Sequence, residues 1–158
     1  GQHTIAGVLV GNAQAALDET IGVVRSRSTS YTASRMRDFQ AVQMRVAAAA
    51  ARIDMARTLL RADCIAAEQA AVQSRAMPDA ETKLRYRRNA ALGTRLCVEA
   101  VDSLHEMMGA NGIYDHQPLQ RMLRDTHAAA AHISLGWDAQ MANWGLAVLG
   151  GDVKMPAL

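Results

Sequence analysis

Apolar residues recur at steps of three and four along most of the chain, and four stretches carry that helical repeat. The first runs from His3 to about Arg25. Ile5, Leu9, Asn12, Ala16 and Thr20 form one stripe, and Val10, Leu17, Ile21 and Val24 form the adjoining one. Gly7 and Gly11 lower its intrinsic helix propensity but permit close approach of another helix. The polar link Arg25 to Ser34 follows, rich in Ser and Thr side chains that bond nearby backbone and favour caps and turns. A second, long helix is predicted from about Arg35 to Arg75. Its stripe is Val42, Val46, Ala49, Ile53, Ala56 and Leu60, and its alanine run has maximal helix propensity.

Pro78 marks the next break and the next start, with Asp79 and Glu81 placed favourably in the first turn of a third helix. That helix runs to about Met108, with Cys97, Val101, Leu104 and Met108 as its core face. Lys83, Arg85, Arg87, Arg88 and Arg95 load its first half with positive charge. We read them as a solvated or intersubunit face, the alternative being contact with an anionic partner. A glycine turn, Gly109-Ala110-Asn111-Gly112, precedes the fourth stretch. Pro118 suits a helix start, and Leu119, Met122, Thr126, Ala129, Ile133 and Trp137 form one face of a single helix continuing to about Leu149. Gly150-Gly151 would end it, leaving a short tail from Asp152 to Leu158. Four amphipathic helices with short connections predict an all-α, up-and-down four-helix bundle, one domain spanning residues 1–158.

Composition supports this. Of 158 residues half are hydrophobic, yet aromatics are few and alanine is plentiful, which favours closely packed helices over sheet. A net charge of +2 is too small to argue for nucleic acid or an anionic membrane. No apolar run reaches membrane-spanning length and no signal peptide is visible, so no membrane role and a cytoplasmic location are expected. Cys64 and Cys97 stand alone within helical patterns and are expected to be buried free thiols.

Candidate chemistry is sparse. His127 and His132 lie five residues apart among alanines. On a helix they would point to different faces, whereas metal pairs need steps of three or four, so no metal site is expected. His105-Glu106 has no such partner either, and there is no nucleophile elbow, phosphate loop or dinucleotide fingerprint. The glycine turn taken alone is most simply an interhelical connection.

The succession of glycine turn, Pro118-Leu119-Gln120-Arg121, Arg124-Asp125 and then histidines resembles the C-terminal helical domain of the acyl-CoA dehydrogenase superfamily. It is most similar to the flavin-dependent monooxygenases that work with a separate reductase. The resemblance covers nearly the whole chain and implies the C-terminal part of a longer enzyme, with the flavin-binding N-terminal and middle domains lying outside these residues. In dehydrogenases of this fold a catalytic glutamate, in a Glu-Gly-Thr motif, follows the Arg-Asp pair. The matching position is about Ile133, and residues 126–140 contain no such motif. Some dehydrogenases take the glutamate from another helix, which keeps an acyl-CoA dehydrogenase or oxidase as the alternative. In the monooxygenases a histidine near this position faces the flavin, where it hydrogen-bonds the flavin hydroperoxide or helps deprotonate a phenolic substrate. That role falls to His132, an imidazole able to donate and accept a proton near neutrality. The competing role for His132 is a core histidine bonded to a backbone carbonyl; His127 is expected to be structural.

The same resemblance implies cofactor contacts. An Arg-x-Thr before the second helix, and a Gln inside it, hold the flavin of a neighbouring subunit; Arg27-Ser28-Thr29 and Gln40 match them, with a slightly longer gap. Asn111 and the Gly109 backbone would approach the cofactor of the adjacent chain. The family's Gln before the glycine turn is replaced by Glu106, a departure easier to accommodate with FMN than with FAD. The implied activity is hydroxylation of a small aromatic substrate with reduced FMN or FAD and O2. The implied partners are a separate flavin reductase and further copies of the chain in a homotetramer, which would bury the alanine-rich faces of helices one, two and four. A reading from a different class is a helical module whose only role is oligomerisation.

Overall fold

The computed structural model describes residues 1–29, 32–74 and 77–154. The predicted end of the second helix at Arg75, part of the polar link and the last four residues of the tail lie outside the described residues. Among the described residues five α-helices form the fold: α1 (Gln2–Ser26), α2 (Gln40–Ser74), α3 (Ala80–Met108), α4 (Pro118–Ala130) and α5 (Trp137–Val148).

The apolar stripes bury where their period requires. Leu9, Ala13, Ala16 and Leu17 of α1 meet Ala49, Ile53, Ala56 and Leu60 of α2 and Cys97, Val101 and Leu104 of α3 in one core, and Thr20 of α1 is buried as well. Polar pairs fix the helix directions. Along α2 and α3, Arg45 bonds Glu106 at 2.7 Å, Arg52 bonds Glu99 at 3.3 Å and Asn89 bonds Asp63 at 3.0 Å, so the two run antiparallel. His3 meets Asp63 at 3.1 Å and Arg57 bonds Gln14 at 2.6 Å, which sets α1 antiparallel to α2. Asn12 donates to the Met122 carbonyl at 2.8 Å and to Thr126 Oγ1 at 2.7 Å, placing α4 beside α1.

The fourth stretch departs from expectation. The single helix predicted from Pro118 to Leu149 is two helices, broken by a tight 3₁₀ turn at Ile133–Leu135. Both pieces follow α3 in reverse. His127 bonds Asp102 at 2.6 Å from α4; from α5, Trp137 lies under the Arg95 guanidinium at 4.5 Å and Trp144 under that of Arg88 at 4.3 Å. The bundle therefore keeps four up-and-down rods, the fourth of them broken. Leu135 is 2% exposed and plugs the core at the break, whereas Ile133, predicted to be on the core face, is 85% exposed.

Smaller corrections follow the same logic. The second helix starts at Gln40 rather than Arg35, because Met36–Asp38 form a separate short turn. Arg88 and Arg95 do not belong to a merely solvated basic face: their planar cations cover the Trp rings that hold α5 to α3. Cys64 is exposed; only Cys97 is a buried thiol, and burial pushes it up to about 12, leaving it protonated and unreactive. A Cβ built on Gly7 or Gly11 would meet nothing within 4 Å, so within this chain neither glycine serves a close helix contact.

Candidate functional site

The residues singled out from the sequence fall in two separate places. The first is the bundle end where α1 stops, α2 starts, α3 stops and α4 starts. Arg27 terminates α1, its amide donating to the Val23 carbonyl and its own carbonyl accepting from Met36. Ser28 and Arg35 pair as an antiparallel bridge, and Thr29 accepts from the Ala33 amide through its carbonyl while its hydroxyl bonds Thr32 at 2.6 Å. The described residues on either side of the polar link are thus bonded to one another, and Arg27 and Thr29 are half-buried there. Gln40 follows as the exposed first residue of α2.

On the same end, α3 stops at Gly109, whose φ of 57° and ψ of −146° belong to a region essentially reserved for glycine. Gly109–Ile113 form a 3₁₀ turn with Asn111 half-buried at its centre. Gly112 has a packing reason of its own, since a Cβ there would stand 3.2 Å from the His105 ring. Glu106, where the family's glutamine was expected, forms an ion pair with Arg45 at 2.7 Å. Arg27, Thr29, Gln40, Gly109 and Asn111 therefore share one end of the bundle. Among the described residues the Arg27 guanidinium forms no ion pair.

The second place is the break in the fourth rod. His132 stands just past α4 and caps the short turn that follows, its Nδ1 accepting from the Ser134 amide at 3.2 Å and lying 2.7 Å from Ser134 Oγ. It is exposed, not a core histidine, and it is not on an alanine-lined helix. The helical-wheel argument separating it from His127 does not apply to a residue off the helix. His127 is instead tied to Asp102, a contact that joins α4 to α3. About 18 Å of α4, at 1.5 Å per residue, separates this break from the bundle end. One chain therefore does not bring His132 together with Arg27 or Asn111. No carboxylate occurs in the break, which reads His-Ile-Ser-Leu-Gly from 132 to 136.

Sequence reasoning missed a third cluster. Asp63, 7% exposed, accepts from Asn89 through both oxygens at 3.0 Å and meets His3; Arg88 in turn donates to Asn89 Oδ1. Its signal was available, because Asp63 is the next step of three after Leu60 on an apolar stripe. Among the described residues no three His, Cys, Asp or Glu side chains converge as a metal site would need, and no helix is long and apolar enough to cross a membrane.

The family model described as acyl-CoA dehydrogenase, C-terminal domain, matches residues 3–137. The oxygenase component of an FADH(2)-dependent resorcinol hydroxylase from Rhizobium sp. (strain MTP-10005) is 32% identical over 96% of this chain and 38% of that protein. The oxygenase component of p-hydroxyphenylacetate 3-hydroxylase from Acinetobacter baumannii is 31% identical over 72% of this chain and 27% of that protein. Among solved structures, XiaF from Streptomyces sp., in complex with FADH2 and glycerol, superposes with a TM-score of 0.92 at 27% identity, over 99% of this chain and 40% of that one. The chain thus spans less than two fifths of the length of these curated relatives.

Proposed function

The chain belongs to the family of acyl-CoA dehydrogenase C-terminal domains, and on that premise we propose that it serves as the C-terminal bundle of a two-component flavin-dependent monooxygenase. Such an enzyme hydroxylates a small aromatic substrate with O2 and reduced flavin delivered by a separate reductase. The relatives named above support the activity class. The observation that carries the choice within the family is the break at 132–136, where an exposed, capped imidazole stands and no carboxylate does. An acyl-CoA dehydrogenase needs a base there, or a glutamate from elsewhere, to remove an α-proton; an oxygenase needs a hydrogen-bonding group.

The residues fit a flavin. Arg27 offers a guanidinium at the C-terminus of α1, suited to bidentate phosphate contact; Thr29, Gln40, Asn111 and the turn at Gly109 add neutral polar groups on the same bundle end. The donor set suits the phosphate of FMN and the diphosphate of FAD alike. When bound, the flavin supplies the oxygen chemistry, and the protein orients it and excludes water. His132 hydrogen-bonds at the reacting end. Because Arg27 and His132 of one chain are well apart, each serves a different flavin, Arg27 reaching across to that of a neighbouring subunit.

That arrangement requires a homo-oligomer, and a tetramer with closed symmetry is the natural form. Two uncovered faces support it. Gly7, Gly11 and Gly22 of α1 have open space beside them and the neighbouring Val8 is 65% exposed; an apolar groove of about 540 Å³ lies between Met55, Leu59, Leu92 and Leu96. The cytoplasm, with its reducing poise, suits an exposed free Cys64.

The deciding experiment uses the full-length protein carrying this chain. Oxygen uptake by the reduced flavin, with hydroxylated aromatic product, is the expected result. Bleaching of oxidised flavin by an acyl-CoA thioester would establish the dehydrogenase instead, and absence of flavin binding would leave the oligomerisation module.

A further inference from the structure

We propose that Ser134 is a positioning residue that holds His132 in one tautomer, with its proton on Nε2, so that the imidazole meets its partner as a hydrogen-bond donor and not as a base. The inference rests on the oxygenase role proposed above for its functional meaning, but its geometry belongs to this chain alone. An imidazole nitrogen either carries a proton or accepts one, and a backbone amide can only donate. The Ser134 amide lies 3.2 Å from His132 Nδ1 and caps the turn through it, so Nδ1 is the acceptor and the neutral ring's single proton sits on Nε2. Ser134 Oγ, 2.7 Å from the same nitrogen, then donates as well. Both donors come from one residue two positions on, within a turn pinned by buried Leu135 and by the Leu135 amide bonding the His132 carbonyl at 2.8 Å.

The consequence is a choice between two roles. A histidine that deprotonates a phenol needs a bare nitrogen pointing at it. Here the bare nitrogen is spent on the turn, and Nε2–H remains for the flavin side. Deprotonation of the substrate therefore falls to another group, and His132 stabilises oxygen-bearing partners by donation.

Two measurements test this independently. In ¹⁵N-edited NMR of the full-length protein carrying this chain, with no flavin added, His132 of the wild type should show an unprotonated Nδ1 and a protonated Nε2 at neutral pH. Ser134→Ala removes one of the two donors, so the ratio of tautomers should move toward Nδ1–H by about three- to tenfold, the scale of one hydrogen bond. Ser134→Thr, which keeps the hydroxyl, should restore it. In the full-length protein, Ser134→Ala should raise hydrogen peroxide release per reduced flavin oxidised, and Ser134→Thr should bring it back. A wild-type Nδ1 that carries the proton, or a tautomer ratio indifferent to Ser134→Ala, overturns the lock. A shifted ratio with unchanged peroxide release overturns the donor role. A locked tautomer in a protein that does not oxidise reduced flavin sustains the lock and removes the oxygenase reading instead.

Discussion

Two turns of this chain start with a side chain that accepts a backbone N–H. At the start of α3 the Asp79 carboxylate takes the Thr82 amide at 2.7 Å; at the break in the fourth rod His132 takes the Ser134 amide at 3.2 Å. Asp79 is a preferred capping residue and opens a 29-residue helix. His132 is not among the preferred caps, and it opens a turn of only three residues. A residue chosen for capping alone would be Ser, Thr, Asn or Asp. The contrast suggests that Asp79 is there for the helix, whereas the turn at 133–135 is there for the histidine.

The sharpest way to break that comparison is to improve the second cap. His132→Asn installs a better capping residue and removes the imidazole. The turn should hold and unfolding stability should stay level or rise, while hydroxylation by the full-length protein falls on the scale of a general acid–base or hydrogen-bonding group, about 10²- to 10⁴-fold. Peroxide release should rise in step, read by stopped-flow oxidation of reduced flavin with product and peroxide both measured. His127→Ala, which removes only the contact with Asp102, should do much less. Retained coupling in His132→Asn would make both caps structural and end the distinction.

Next in size is the other candidate place. Arg27→Ala should weaken flavin binding by about 1.5 to 3 kcal/mol, the scale of a charge-assisted hydrogen bond, without altering the break. Titration of the full-length oligomer with reduced flavin measures it. Equal affinity would remove Arg27 from the site and leave the bundle end with only neutral polar candidates for the flavin.

A smaller effect tests what maintains the break. The sequence pattern carries its helical step straight through Ile133 to Trp137, so periodicity alone could not show it. Three features impose it: Leu135 buried in the core, Trp137 stacked under Arg95 and Trp144 under Arg88. These are tertiary contacts, which override weak local preferences. By contrast α1, α2 and α3 were legible because their stripes match the faces they bury, and the end of α3 was legible because Gly109 needs its positive φ. Arg27 and Gln40 carried no signal of their own; only the family resemblance singled them out. Arg95→Met keeps the side chain's apolar length and deletes the cation, so stability should drop by about 0.5 to 1 kcal/mol in urea unfolding. An unchanged midpoint would show that the Arg95–Trp137 contact does not help to seat α5, leaving Leu135 and the Arg88–Trp144 contact to do so.

The least effect concerns the other cap, and it depends on pH. The Asp79 carboxyl is held below its ordinary value of 3.8, first by the Thr82 backbone amide, then by the Thr82 hydroxyl, with a smaller contribution from Arg85. Because the folded value lies below the unfolded one, the charged carboxylate contributes stability in full above 3.8, and that contribution is lost as pH falls through the folded value. Asp79→Asn keeps a capping oxygen without the charge, so it isolates the carboxylate's share. Wild type should exceed Asp79→Asn by a constant margin from neutral pH down to about pH 5, and the margin should close below the ordinary aspartate range. Thermal unfolding followed by circular dichroism across that range measures it. Asp79 is exposed, so salt should shrink the margin as well. The cap at His132 makes the opposite demand on charge, because its Nδ1 must stay unprotonated to accept the Ser134 amide. A margin that stays flat from neutral to strongly acid pH would mean that Asp79 caps as a neutral acceptor, and that the two turns differ only in which side chain happens to reach the amide.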